Sequence, residues 1–381
     1  MSGLIIPRLI ALDSSIIGNV ARDFYHSNEH NQKKARRFLD YLSLKNLIPL
    51  ITWHHIEELL QHNDEVIVDN RIRFIESFPM IAWFYSINSP GIVGSILDIQ
   101  ATELSWLIDN PSTPLEVVIQ KTKDKLLKFG SGQDLVSIFN YDEETWKQIR
   151  ENLAHRQDRR REIASIGHAK FIDMQSNKVS DFRNKRLRKP EETTKALDIL
   201  EANLERELIN HGDKKLSGHK SVAREFINEI KENGLQLCHA QGNKQEIFLK
   251  SFGIDPGEVS SDAALQDIGY TAIYKQKIRI LAETFGLNYD LLKAIKEDLC
   301  PSWLIWRELD KVLKSAHRAS GSDITDKYHS VLALYADILL VDKRFHEIFK
   351  QVVIRNTVIK KIINKVIKLS DYGNMIKIIE K

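Results

Sequence analysis

Six carboxylates in this chain stand where a strand-like run ends or where a helix begins. Asp13 closes the apolar run 8–12 (RLIAL), and Asp342 closes the run 338–341 (ILLV). Glu57 and Glu58 lie in the first turns of a helix that follows the run 47–52, and Asp323 and Asp326 open a helix near the end of the chain. In open α/β sheets, ligands bind outside the carboxyl ends of the strands, where strand ends and the following helix N-termini converge. Two unit charges about 4 Å apart repel by roughly 4 kcal/mol at an effective dielectric near 20, so clustered carboxylates destabilise a fold unless a cation joins them. Oxygen-only ligands favour Mg²⁺ or Mn²⁺. Such an ion positions a water, lowers its pKa and neutralises charge on a phosphodiester under in-line attack. Taken singly, each acid has an ordinary explanation as a turn residue, an N-cap or a helix-dipole partner. Their joint placement at both ends of the chain is what points to a metal site.

Other constellations compete with this one. His54, Glu58 and His62 fall on one helix face at i, i+4 and i+8, but the spacing matches no closed zinc pattern. Arg161 and His168 lie on a second helix, with a spacing similar to the Arg-x4–6-His motif of HEPN ribonucleases. There a His acts in acid–base chemistry without metal and an Arg stabilises phosphate charge. The segment FRNKRLRKP, with Arg183, Lys185, Arg186, Arg188 and Lys189, is the best candidate for contacting a polyanion, and Lys343 and Arg344 follow Asp342 directly. A solvated loop explains the first of these equally well. Lys360, Lys361, Lys365 and Lys368 flank apolar residues at helical spacing and read as the exposed face of a packed helix. Trp303 and Trp306 read as core. The chain has no Gly-rich phosphate loop and no Ser or Cys nucleophile motif.

The elements that must position these residues alternate at the N-terminal end. Runs 8–12, 47–52 and 80–84 read as strands, and 30–46, 53–62 and 65–77 read as helices, which is the mark of an α/β sheet. From about 95 to 318 the pattern is helical and heavily charged. The α/β texture returns with an amphipathic helix at 323–336, a strand at 338–341, a helical pattern through about 369 and a short strand-like run at 375–379. The expected architecture is one α/β domain of parallel central sheet with helices on both faces. Residues 1–90 and 319–381 build it, and a helical insertion of roughly 230 residues, 91–318, interrupts it.

Composition sets the outer limits. The chain of 381 residues is 43% hydrophobic and 28% charged, which suits a globular protein with a core. The formal net charge is only +3, but Lys343 to Lys381 carries ten Lys and Arg against three acids, and local patches matter more to nucleic acid than the total. Cys238 and Cys300 are far apart, which argues against a disulfide framework or a zinc ribbon and fits a reducing compartment. The opening apolar run is broken by Pro7 and Arg8 and reads as a strand and not a targeting segment, no stretch is long enough to span a membrane, and the expected location is cytoplasmic.

Ordered pieces of the chain resemble the PIN domain, a nuclease fold. LIALDSS is similar to the family's opening motif, PLITWHHIEELL to its second, and DKYHSVLALYADILLVDKRF to its third and fourth together. The resemblance covers roughly residues 7–85 and 320–360, about a third of the chain. It implies a PIN-like fold and an Mg²⁺- or Mn²⁺-dependent endonuclease, RNA preferred over DNA, with metal and catalytic acids Asp13, Glu58, Asp326 and Asp342. Asp323 is an alternative to Asp326 or its companion, and Asp337 falls at a position that is usually structural. A toxin-like or defence-associated ribonuclease is the family role in view. The helical insertion would hold the nucleic acid, a regulatory protein or a second copy of the chain. Two alternatives stand beside this reading: a catalytically inactive PIN-like scaffold that binds RNA or protein, and metal-independent RNA cleavage through Arg161 and His168.

Overall fold

A computed structural model describes residues 7–62, 64–89, 91–138, 143–170, 178, 180, 190–239, 243–251, 253–260, 262–315, 318–369 and 371–374. The first part alternates: β1 (Arg8–Leu12), α1 (Ser14–Phe24), α2 (Glu29–Leu44), β2 (Leu47–Ile51), α3 (Trp53–Leu60), α4 (Glu65–Glu76) and β3 (Ile81–Phe84). Then come α5 (Ile96–Asp109), α6 (Leu115–Leu126), β4 (Leu127–Gly130), α7 (Gly132–Ser137) and α8 (Glu143–His168). Helices α9 (Pro190–His211), α10 (His219–His239), α11 (Lys244–Ser251), α12 (Leu265–Phe285) and α13 (Tyr289–Leu292) follow. The chain closes with α14 (Pro301–Leu313), α15 (Ser322–Ser330), β5 (Ile338–Val341), α16 (Lys343–Arg355), α17 (Thr357–Ile362) and β6 (Lys365–Lys368).

The fold is α/β. Six strands form one sheet in the order β4-β3-β2-β1-β5-β6, parallel except for β4, which runs antiparallel to β3. Residues on β1 alternate between two cores, as successive side chains of a strand must. Ile10 and Leu12 face Ile17 and Val20 of α1, Phe38 of α2 and Phe74 of α4. Leu9 and Ala11 face Ile99 of α5, Leu304 and Ile305 of α14, and Phe345 and Phe349 of α16. Helices therefore cover both faces. The N-terminal end of the sheet is locked by Asp337, whose Oδ2 accepts the Leu9 N–H at 2.6 Å and ties β1 to the start of β5.

The chain forms two compact units, and their boundaries differ from those expected. The sheet unit comprises 1–155, 298–313 and 325–381, and the helical unit comprises 156–297 and 314–324. Residues 91–155 and 298–313, expected in the insertion, belong with the sheet because their apolar faces complete its second core. Helix α5 is buried on every side from Asp98 to Leu104, and its Glu103 reaches α14. The Glu103 carboxylate accepts from Cys300 Sγ at 2.9 Å, from the Ser302 hydroxyl at 2.6 Å and amide at 3.2 Å, and from the Tyr335 hydroxyl. Burial nevertheless pushes its pKa above the ordinary carboxyl value, against those hydrogen bonds.

Three element expectations are corrected. A strand, β4, lies inside the stretch expected to be wholly helical. The helix expected at 323–336 ends at Ser330 and tightens into a 3-10 turn over Val331–Leu334. The helical pattern expected through 369 breaks at Asn356, whose side chain caps α17, and 365–368 (KVIK) is the edge strand β6. Lysines on that edge oppose further strand pairing. The expected run 375–379 lies outside the described residues. In the helical unit, α9 and α10 pack through Leu204, Leu208, Val222, Ala223 and Ile227, and a smaller core joins Leu249, Ile254, Leu265 and Ile268. No described helix is long and apolar enough to cross a membrane.

Candidate functional site

Strand order decides which residues meet. The chain leaves β1 toward β2 on one side, and β5 returns on the other, so the connections diverge between β1 and β5. A crevice outside the carboxyl ends of parallel strands forms at such a switch point. Asp13 and Asp342 follow the two strands that flank it. The Asp13 amide donates to Leu340 O at 3.2 Å, which fixes the end of β1 against β5 two residues before Asp342.

Both acids are N-caps. Asp13 Oδ1 accepts the Ser15 amide at 2.8 Å at the start of α1, and Asp342 Oδ1 accepts the Phe345 amide at 2.7 Å at the start of α16. The ordinary reading of each residue is thus part of its role, and capping does not use up the negative charge. Partial burial is the main cause that raises the Asp13 pKa. Hydrogen bonding from Ser15 opposes it, and the nearby Asp342 carboxylate adds to it. Asp342 has the same sign as Asp13 and so disfavours its ionised form.

The neighbouring strand end carries a second group. Thr52 follows β2 and starts α3, where His55 is fully buried. His55 Nε2 donates to Leu12 O at 3.0 Å, and its Nδ1 accepts the Thr52 amide at 3.1 Å, so one neutral tautomer is fixed. Burial lowers its pKa from 6.5 to about 3. The His55 ring stacks on His329 of α15 at 4.2 Å and 17°, and His54 stacks on Tyr328 at 4.8 Å and 12°. His329 Nδ1 lies 3.8 Å from Glu58 Oε2, and His54 Nδ1 lies 3.4 Å from Glu57 Oε2.

The remaining expected residues fall in different places. Asp326 is half-buried on α15, one turn before His329 and Ser330, in the sheet unit. Asp323 belongs to the helical unit and is a capping residue there: its Oδ2 accepts the Ser320 amide at 2.9 Å, and its own amide donates to Ser320 O. Lys343 is exposed and Arg344 half-buried in the first turn of α16, beside Asp342. Arg183, Lys185, Arg186, Arg188 and Lys189 lie outside the described residues. The face of His54, Glu58 and His62 does not converge: His62 Nδ1 accepts the Asp64 amide at 3.0 Å, while His54 turns toward Tyr328. Arg161 pairs with Asp158 at 2.6 Å, and His168 is buried at the end of α8, two helical turns and a rise of about 10 Å away. Trp303 is buried and stacks on Trp306 at 4.9 Å, as expected of core residues.

The donor set suits a hard divalent cation in one form only. Asp13 and Asp342 offer like-charged oxygens at adjacent strand ends, and Mg²⁺ is commonly held by one or two carboxylates, with waters and substrate phosphate completing the shell. A closed protein cage is not formed: among the described residues, no three His, Cys, Asp or Glu are gathered to hold a metal ion by themselves. The sequence reading missed His55, Tyr328 and His329. Their only sequence signal is adjacent ring pairs inside the segments WHH and KYH, and nothing local specifies which rings meet.

No family model matches the chain, and no curated protein or solved structure matches it.

Proposed function

We propose that the chain is a metal-dependent endonuclease that hydrolyses phosphodiester bonds at the carboxyl edge of its sheet. The observation that carries this reading is the Asp13–Asp342 pair: two acids flank the switch point, and the Asp13 carboxyl is held above its ordinary pKa by burial and by its like-charged neighbour. A cation between them would remove that repulsion. Bound Mg²⁺ or Mn²⁺ supplies a Lewis acid and an activated water. Asp13 and Asp342 would hold it, and Glu58 and Asp326 would complete the acidic surround. Lys343, exposed beside Asp342, would meet a substrate phosphate as a point charge. The ordered resemblance to the PIN domain supports the PIN-like form of the fold and favours RNA over DNA.

The test is cleavage of labelled single-stranded RNA and DNA by purified protein with Mn²⁺ or EDTA, beside Asp13→Asn. Asn retains the N-cap acceptor and removes the charge, so the variant folds. The expected result is metal-dependent cutting of RNA that Asp13→Asn abolishes. Equal cutting by the variant would overturn the site. Cutting that persists in EDTA and is lost in His168→Ala would move the chemistry to Arg161 and His168. A folded protein that binds RNA without cutting it would be the inactive scaffold.

A further inference from the structure

Arg71 carries a guanidinium that the protein itself uses only in part. It lies on α4 and is half-buried, and its Nη1 donates to Leu59 O near the carboxyl end of α3 at 2.9 Å. That bond takes one of its several N–H donors. Among the described residues no carboxylate pairs with it, and burial alone shifts its pKa, downward. The group rests against Gly18 of α1, where a Cβ would stand 3.4 Å from Nη2 and 3.5 Å from Nε.

Helices α1, α3 and α4 pack on one another pairwise, and three donors they carry are shielded from solvent with no hydrogen-bond partner among the described residues. These are Arg71 Nε, the Gln61 side-chain Nε2 and the Ser14 hydroxyl. Gln61 caps the end of α3, two residues past Leu59. Ser14 is buried, follows Asp13 directly and stands one turn before Gly18 on the same side of α1, with about 5–6 Å between such Cβ positions. A buried donor left unmet bears its full desolvation cost. A half-buried guanidinium with no acid to meet it, beside a buried hydroxyl with no acceptor, calls for an acceptor from outside the chain.

Resting on the function proposed above, we propose that Arg71 and Ser14 bind a phosphate group of the RNA strand, one next to the phosphate that is cut. A guanidinium fork matches phosphate geometry and keeps its charge when partly desolvated. Gly18 lies about 7 Å along α1 from Asp13, so a strand held here stays within about two helical turns of the acidic edge. The ordinary alternative is that Arg71 only caps α3 and that ordered water meets the other donors.

The experiment measures binding of labelled single-stranded RNA to the full chain in EDTA, over a range of salt, by fluorescence anisotropy. It compares the parent, Arg71→Gln and Ser14→Ala, with thermal unfolding of each. Gln keeps a donor for Leu59 O and loses the charge. Ser14→Ala breaks no side-chain hydrogen bond within the protein, so a purely structural role leaves RNA affinity where it was. The expected result for Arg71→Gln is binding about tenfold weaker at low salt. Its slope of log affinity against log salt becomes shallower by about 0.7, one phosphate contact on single-stranded RNA. Ser14→Ala binds roughly threefold weaker with the parent's slope and melts no lower than the parent. Parent affinity and slope in folded Arg71→Gln would overturn the phosphate site and leave the nuclease reading intact. Should Arg71→Gln not fold, parent affinity in Ser14→Ala would do the same, as would a parent that cuts RNA with Mn²⁺ but binds none in EDTA. A folded parent that neither binds RNA nor cuts it with Mn²⁺ would overturn the nuclease reading, and the inference with it.

Discussion

At the scale of the residue, the fold keeps two kinds of carboxyl at odds with their surroundings. Asp13 is half-buried, at the carboxyl end of β1. Glu103 is sealed inside, held by Cys300, Ser302 and Tyr335. Its folded pKa is raised above the ordinary value of 4.5, chiefly by burial. A raised carboxyl contributes stability that is full below its unfolded pKa and is lost as pH rises through the folded pKa. Glu103→Gln removes that dependence and also disturbs the hydrogen bonds by a pH-independent amount. Urea unfolding from pH 4 upward should therefore show the parent losing ground to the variant as pH rises. Parallel profiles would mean that Glu103 titrates as it does in the unfolded chain.

Elements meet closely where the sequence offers glycine. Helix α7 begins at Gly132, whose amide donates to Phe78 O at 2.8 Å. A Cβ there would stand 2.0 Å from Ile75 O and 2.8 Å from Glu76 O, at the carboxyl end of α4. Both contacts are with backbone, so no side chain can swing aside. Gly132→Ala is expected to destabilise the protein by about 3 kcal/mol, read as a lower urea midpoint at constant slope. An unchanged midpoint would show that α7 can move off α4 at little cost. The strand–helix alternation of the first 85 residues was legible because apolar periodicity is a local signal, and Asp13, which ends β1, caps α1. Strands β4 and β6 were not legible. LKFG and KVIK are four residues each, too short for a period to separate strand from helix, and both are edge strands whose state depends on a neighbour far away in the chain.

For the whole molecule, a net charge of +3 gives little general attraction to nucleic acid, so the proposed RNA binding rests on local contacts. On the proposed function, RNA affinity of the Asp13→Asn protein should fall steeply with salt, as counterion release requires. Lys343→Ala in that background should make the slope of log affinity against log salt shallower by about 0.7, one phosphate contact on single-stranded RNA. An unchanged slope would remove Lys343 from the substrate path. The two-unit organisation follows from packing. Apolar faces on α5, α6 and α14 cover the second face of the sheet and belong to it, while α9 and α10 bury a core of their own.

By itself, the sequence determined the α/β class, the positions of four of the six strands and the acids that end β1 and β5. These depend on hydrophobic period and on capping, which involve residues within a few positions of each other. Only the tertiary structure decided that β1 lies between β2 and β5, so that Leu9 bonds to Asp337, 328 residues away, and Asp13 and Asp342 follow adjacent strands. It alone brought His55 onto His329 and left Asp323 and Asp326 in different units. Such pairings arise when distant apolar faces close one core, and no window of neighbouring residues contains that information.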